Sequence, residues 1–369
     1  MKRRTFNKLL LTGTGGVMVA VDASCTPKVG PEAKPASTRM HVGCQRGEVN
    51  EESCAFRARL GVFNIDGGSP QIISGVGWDL DDSLRKRELC EKYGISLDAY
   101  HLPLTSAGIE RQIFPNIMLG KSPERDREIE QIQQMITVAG KTGVRALLYN
   151  TTILPVLRTG YTPGRGDALY STWDYEEAVS RNEGLTIAGE VSLDEMYERI
   201  VYLLDRILPV AEEYRVQLGN HIADPPVSLG YRGICRWNSP NIFEGVKRFA
   251  QLYDSPYHGF NLCLGSCAEG MKEPDSEIHE LIRYVGGRDQ IFNIHFRNIR
   301  GGFGYFQEVF PDEGDMDFYE VARTLRDVGY KYMLMHDHVP TSPGDHGNHQ
   351  AVAFAHGYIK GLIQAVYSC

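Results

Sequence analysis

No stripe of basic residues interleaved with aromatics runs through this chain, and acidic residues outnumber basic ones, 47 to 39 in 369 residues. The formal charge of −8 removes nucleic acid from the expected partners. It also gives no reason for attraction to an anionic membrane surface. No Gly-x-Gly-x-x-Gly follows a candidate strand, so a dinucleotide site has no support. No internal repeat is visible. Long apolar runs are missing too: the best candidate, residues 9–21, is diluted by Gly and Thr and is too short to span a bilayer. The eight cysteines (25, 44, 54, 90, 235, 263, 267, 369) are scattered through a large chain, mostly in apolar contexts. That spacing excludes the disulfide framework of a small secreted domain and leaves at most one surface pair. What remains is an ordinary globular mixture, 42% hydrophobic and 23% charged. It is enough for one large core or two medium ones.

The chain opens "MKRRTFNKLLLTGTGGVMVAVDASCTP", with Arg3 and Arg4 ahead of Phe6, Lys8 and a mild apolar run. This order predicts a twin-arginine export signal over residues 1–25 and a periplasmic destination, against the plainer reading of a charged tail. Cys25 follows Ala23 and Ser24, which suits a lipid anchor, although Asp22 stands where such signals usually carry Leu. Residues 26–39, rich in Pro, Ala and Lys, read as a linker, and residues 40–369 as one catalytic domain. The twin-arginine route carries proteins already folded, which suits a metalloprotein better than a disulfide scaffold.

From residue 40 onward, apolar runs alternate with amphipathic stretches. Strands are expected at 40–44, 61–67, 94–102, 144–150, 215–221, 259–265, 290–298 and 330–338. Helices are expected to about residue 60, then at 80–93, 127–143, 192–214, 241–254, 276–286, 317–328 and 350–366. Ser192 and Glu195 form a Ser-x-x-Glu capping box at the start of the longest. Near-continuous apolar strands joined by helices imply a parallel sheet covered on both faces. Eight such units predict an α/β fold, the (β/α)8 barrel of the TIM type, ahead of a doubly wound open sheet. The long segment 151–191, rich in Gly, Arg and Tyr, is expected as a loop over the active site.

In such a barrel the chemistry sits at the C-terminal strand ends. The last four expected strands end in "GNH", "NLC", "NIHFRN" and "MHDH". His221, Cys263, His295 and either Asp337 or His338 would therefore ring one mouth, each one β/α unit beyond the last. A single strand-end histidine or a buried cysteine is more often mere packing. Four successive strand ends of ligand type point to a metal. Imidazole and thiolate favour Zn2+ or Fe2+, and the carboxylate admits Mn2+. Gly265 and Ser266, directly after Cys263, suggest a tight turn and a close approach of the backbone to a substrate.

The segments "NHIADPP" (220–226), "NLCLGS" (261–266), "IHFRN" (294–298) and "HDH" (336–338) resemble the metal-binding motifs of the mannonate dehydratases. "LLYNTTILPVLRT" (147–159) and "EGDMDFYEV" (313–321) are similar to two further stretches of that family. The resemblance implies a (β/α)8 barrel with Mn2+ held by His221, Cys263, His295 and Asp337, and His338 as a catalytic histidine. The implied reaction is loss of water from a sugar acid, D-mannonate, giving 2-keto-3-deoxygluconate. Arg297 is a candidate clamp for the substrate carboxylate, and Asn150, Arg158 and Ser266 complete the expected substrate-binding set. Two departures stand out. The family's tyrosine after the last metal ligand is missing from "TSPGDHGNHQAVAFAHGY" (341–358) ahead of the last helix, so His346 or His349 is expected in its place, with Tyr161 and Tyr170 behind them. The family's histidine shortly before the Gly-Asp-x-Asp stretch is missing from "FQEVFPDEGDMD" (306–317), and export is unusual for an enzyme of sugar-acid catabolism. The competing readings are a sugar isomerase or epimerase on a xylose-isomerase-like barrel, and an exported binding protein without activity. The only partner expected beyond a second copy of the chain is a small sugar acid.

Overall fold

A computed structural model describes residues 38–45 and 48–368. The twin-arginine segment, Cys25 and residues 26–37 of the linker lie outside the described residues. Eight parallel strands build the main sheet: β1 His41–Gly43, β2 Asn64–Asp66, β3 Ser96–His101, β4 Ala146–Tyr149, β5 Gln217–His221, β6 His258–Cys263, β7 Ile291–His295 and β8 Met333–Met335. Each strand pairs with its neighbours in chain order, and β8 pairs with β1. A parallel bridge from Cys44 to Ile65 joins β1 to β2 and closes the ring. A helix follows every strand: α1 Glu51–Arg59, α2 Leu80–Lys92, α3 Pro123–Lys141, α4 Leu193–Tyr214, α5 Ile242–Ala250, α6 Pro274–Gly286, α7 Phe318–Asp327 and α8 His349–Ser368. The fold is the expected (β/α)8 barrel.

Local chemistry places these elements. The Ser192 hydroxyl accepts from the Glu195 N–H while the Glu195 carboxylate accepts from the Ser192 N–H, so the predicted capping box opens α4. Pro123 stands in the first turn of α3, where its missing N–H costs nothing. Along the strands, side chains alternate between two cores. Leu147, Leu218, Leu262, Ile294 and Leu334 point outward and pack beneath the helices. Ala99, Ala146, Leu148, Met333 and Met335 form a separate cluster that fills the barrel interior. The same alternation turns Asp66, His101, His221, Cys263 and His295 inward at the strand ends.

The segment 151–191 is not a loop. It contains the strands Gly160–Pro163 and Leu169–Asp174 and the helix Tyr175–Ser180. Leu169–Asp174 pairs antiparallel with Tyr305–Glu308, which hairpins back onto Ile299–Gly302. The resulting four-stranded sheet ties the chain after β4 to the chain after β7. The expected strands 290–298 and 330–338 end earlier, at His295 and Met335, so Arg297, Asp337 and His338 lie beyond the ladder. No described helix is long and apolar enough to cross a membrane.

Candidate metal and catalytic centre

His221, Cys263, His295 and Asp337 meet at the mouth of the barrel, with one ligand atom from each inside a sphere of mutual separations under 4.8 Å. His221 Nε2 lies 3.1 Å from His295 Nδ1. Cys263 Sγ lies 3.4 Å from Asp337 Oδ2, and His295 Nδ1 lies 3.4 Å from Asp337 Oδ1. The far ring nitrogens are held from behind. His221 Nδ1 donates to the Ile222 carbonyl at 2.6 Å, and the Asn261 amide, itself bonded to Asn293, stands 3.2 Å from His295 Nε2. Both contacts fix ring orientation, and the Ile222 carbonyl, by taking the Nδ1 proton, aims the His221 Nε2 lone pair inward.

The electrostatics suit a cation. Burial pushes His221 down to about 4, so its ring is neutral and able to ligate at pH 7. Burial also pushes the Cys263 thiol well up. That thiol ionises readily only beside a compensating positive charge, as metal ligands do. Burial opposes ionisation of Asp337 as well, but His338, His295 and Arg297 hold its carboxyl well below the usual range. Two imidazoles, a thiolate and a carboxylate so arranged fit a divalent transition-metal ion.

Behind the ligands lies a buried ionic cluster. Arg297 Nη2 donates to Asp224 at 2.9 Å and to the Ser266 hydroxyl at 2.9 Å, and Nη1 donates to Glu269 at 2.8 Å and to Glu308. Its Nε stands 2.9 Å from Asp337 Oδ2. Arg158 donates to Asp224 at 2.6 Å and also to Glu308. Burial pushes Glu269 up to about 8, against the pull of Arg297 and Arg158, which both donate to it. Arg158 and Arg297 thus face Asp224, Glu269, Glu308 and Asp337, and the exposed His338 adds a partner for Glu308 and Asp337 at the rim. The paired charges satisfy the condition for burying ions at all.

This arrangement corrects several expected roles. Arg297 is 2% exposed, and its donors are taken by protein groups, so it braces Asp337 and does not clamp a substrate carboxylate. Arg158 belongs to the same cluster. Ser266 is fully buried and donates to Asp224 at 3.1 Å. Gly265 does permit a close approach, but of Arg297: a Cβ there would stand 2.6 Å from Arg297 Nε. His346 is exposed on the turn His346–Asn348, and His349 packs against Phe56 at 4.9 Å beside a different cavity. Tyr161 is 68% exposed, and Tyr170 is buried against Glu313. None of these four histidines and tyrosines lines the cavity at the metal ligands.

That cavity, about 290 Å3, is lined by His221, His295 and Asp337 together with His338, Asn150 and His101. His338 turns in beyond the end of β8, with Nδ1 2.9 Å from Glu308 Oε1. Asp337 and Glu308 together push its pKa up to about 9. His101, at the end of β3, was not among the expected residues. Its Nε2 lies 2.7 Å from Asp66 at the end of β2. "DAYHL" closes a strand as visibly as "NLC" does, so strand-end reasoning extended to the first half of the barrel would have found it.

The family described as D-mannonate dehydratase (UxuA) matches residues 167–368. The mannonate dehydratase of Thermotoga neapolitana is 28% identical over 317 residues, covering 75% of this chain and 82% of that protein. The mannonate dehydratase of Streptococcus pneumoniae is 26% identical over 294 residues, covering 72% and 75%. The crystal structure of mannonate dehydratase from Streptococcus suis superposes with a TM-score of 0.71 at 25% identity, over 89% of this chain and 93% of that one. A D-tagatose 3-epimerase-like protein shares the fold at a TM-score of 0.56 and 15% identity, over 89% and 99%.

Proposed function

Because the chain belongs to the mannonate dehydratase family and is a hydro-lyase, we propose that it removes water from D-mannonate to give 2-keto-3-deoxygluconate. One observation carries this reading: a cavity lined by three of the four candidate metal ligands, His221, His295 and Asp337, and by two anion-held imidazoles, His338 and His101. The C2 proton of a sugar acid is barely acidic, because its removal places more charge beside a carboxylate. His221, Cys263, His295 and Asp337 would hold a divalent cation, Mn2+ by the family resemblance, which would supply the positive charge that this ionisation needs. Fe2+ and Zn2+ suit the same donors.

The chain's own groups then divide the proton work. His338, charged at neutral pH between Asp337 and Glu308, donates its proton to the departing C3 hydroxyl. His101 accepts the C2 proton through the nitrogen that Asp66 does not hold, and Asp66 stabilises the imidazolium formed. The C2–H and C3–O bonds break, water leaves, and the resulting enol becomes the 2-keto product. His101 thus takes the place of the family's missing tyrosine. Asn150, which lines the cavity, is placed to bind a substrate hydroxyl.

The test is incubation of metal-loaded protein with a panel of aldonic acids, followed by assay for 2-keto-3-deoxy products. Turnover of D-mannonate is expected. Product from another aldonic acid and none from D-mannonate overturns the substrate, and no product from any overturns the reaction.

A further inference from the structure

We propose that Cys44, His336 and His356 form a second metal site, for a soft or borderline ion such as Zn2+, on the outer side of the barrel wall. One ligand atom from each lies within 4.8 Å of the other two, and all three residues are buried. The alternation of side chains turns this cluster away from the four ligands of the first, although His336 also borders the central cavity. Cys44 continues the outward-facing row of Met40 and Val42, and His336 follows the inward-facing Met335. His356 comes from α8, the helix that packs against this part of the wall.

The second and independent observation is His356 itself. It is 1% exposed, and neither of its ring nitrogens has a hydrogen-bond partner. A buried imidazole left unpaired is costly, and a metal ion is one of the few partners that satisfies it. His336 is already oriented for the purpose. Its Nδ1 donates to the Asp337 carbonyl at 3.0 Å, which leaves the Nε2 lone pair facing Cys44 Sγ at 4.0 Å. Zn–S and Zn–N bonds of about 2.3 and 2.0 Å in tetrahedral geometry place S and N about 3.5 Å apart, so a small contraction completes the contact. Arg57 Nε donates to Cys44 Sγ at 3.3 Å, an outer hydrogen bond of the kind that stabilises a ligating thiolate.

Access is provided by a cavity of about 500 Å3 lined by Cys44 and His336, with Ser53, Phe56, Arg57 and His349 around them. Two imidazoles and one sulfur leave a fourth position for water or another small ligand. The donor set excludes Mg2+ and Ca2+, which take oxygen ligands.

The full chain, stripped by chelator, is reloaded with Zn2+, freed of excess ion and assayed for metal. Wild type should hold two ions per chain, and Cys44→Ser and His356→Gln one each. Reloading with Co2+ separates the sites by their sulfur. Cys263→Ser should keep a thiolate-to-Co2+ absorption band that Cys44→Ser/Cys263→Ser loses. Equal metal in wild type and both single variants overturns the site, as does absence of the band from Cys263→Ser. If the serine variants fail to fold, the stoichiometry of wild type against His356→Gln decides alone.

Discussion

At the mouth of the barrel the two cavity imidazoles proposed for catalysis differ in the anions that hold them. His338 sits between two carboxylates, Glu308 and Asp337, and His101 faces one, Asp66. His338, raised by its two carboxylates, is suited to give a proton, and His101 is proposed to take the other. His338→Gln and His101→Gln should each retain metal and lose turnover by about two to four powers of ten, the usual worth of a positioned acid or base. Full turnover in either variant removes that residue from the mechanism. The pH profile tests the assignment of roles. Glu308 helps push His338 up to about 9, and a donor is lost as pH rises through its pKa. Glu308→Gln lowers that pKa, so the alkaline limb of kcat should move to lower pH; an unmoved limb assigns it to another group. The proposed metal ligands have their own readout: Cys263→Ala and His295→Ala should be depleted of metal by elemental analysis. The candidate ligands were legible because His221, Cys263 and His295 each close a strand and Asp337 follows one by two residues, and strands are written locally in the sequence. The Arg297 role was not, since nothing in "HFRN" announces that Asp224, Glu269 and Glu308, from three other segments, converge on its guanidinium.

Among the elements, helices and strands follow the sequence to within a few residues because caps and periodicity are local signals; Ser192 with Glu195 is the clearest case. The antiparallel sheet over 160–174 and 299–308 escaped because its central pairing joins strands more than a hundred residues apart, a contact no local pattern announces. Yet that sheet delivers Glu308 to His338. The short helix Leu264–Ala268 is equally consequential. Cys263 caps it, its sulfur accepting from the Ser266 N–H at 3.4 Å, and Arg297 crosses directly over Gly265. An alanine Cβ would stand 2.8 Å from Arg297 Cζ, and the guanidinium cannot yield while carboxylates hold it. Gly265→Ala should therefore cost about 1–3 kcal/mol, as overpacking does. It should lower both the unfolding midpoint and metal retention, because Arg297 braces Asp337. An unchanged midpoint with full metal content would show that Arg297 is free to move.

For the molecule as a whole, the eightfold alternation made the barrel readable, and the buried thiols bear on where the protein works. Among the described residues six cysteines are free, and Cys44, Cys54, Cys90, Cys263 and Cys267 are buried. A chain with this many thiols that folded in an oxidising compartment would risk mispairing, and Cys263 would risk oxidation before a metal reached it. Folding and metal loading inside the cell, followed by export of the finished barrel, avoids both hazards. We propose that Arg3 and Arg4 direct this route to the periplasm, with Cys25 a candidate for lipid attachment. Receptor recognition reads the arginine pair itself, so two lysines should not replace it even though the charge is unchanged. Arg3→Lys/Arg4→Lys should remain in the cytoplasmic fraction, folded and with the same metal content as the exported form. Equal recovery of that variant from the periplasm would remove the twin-arginine route. Retention with metal lost would instead show that the ion is acquired after crossing.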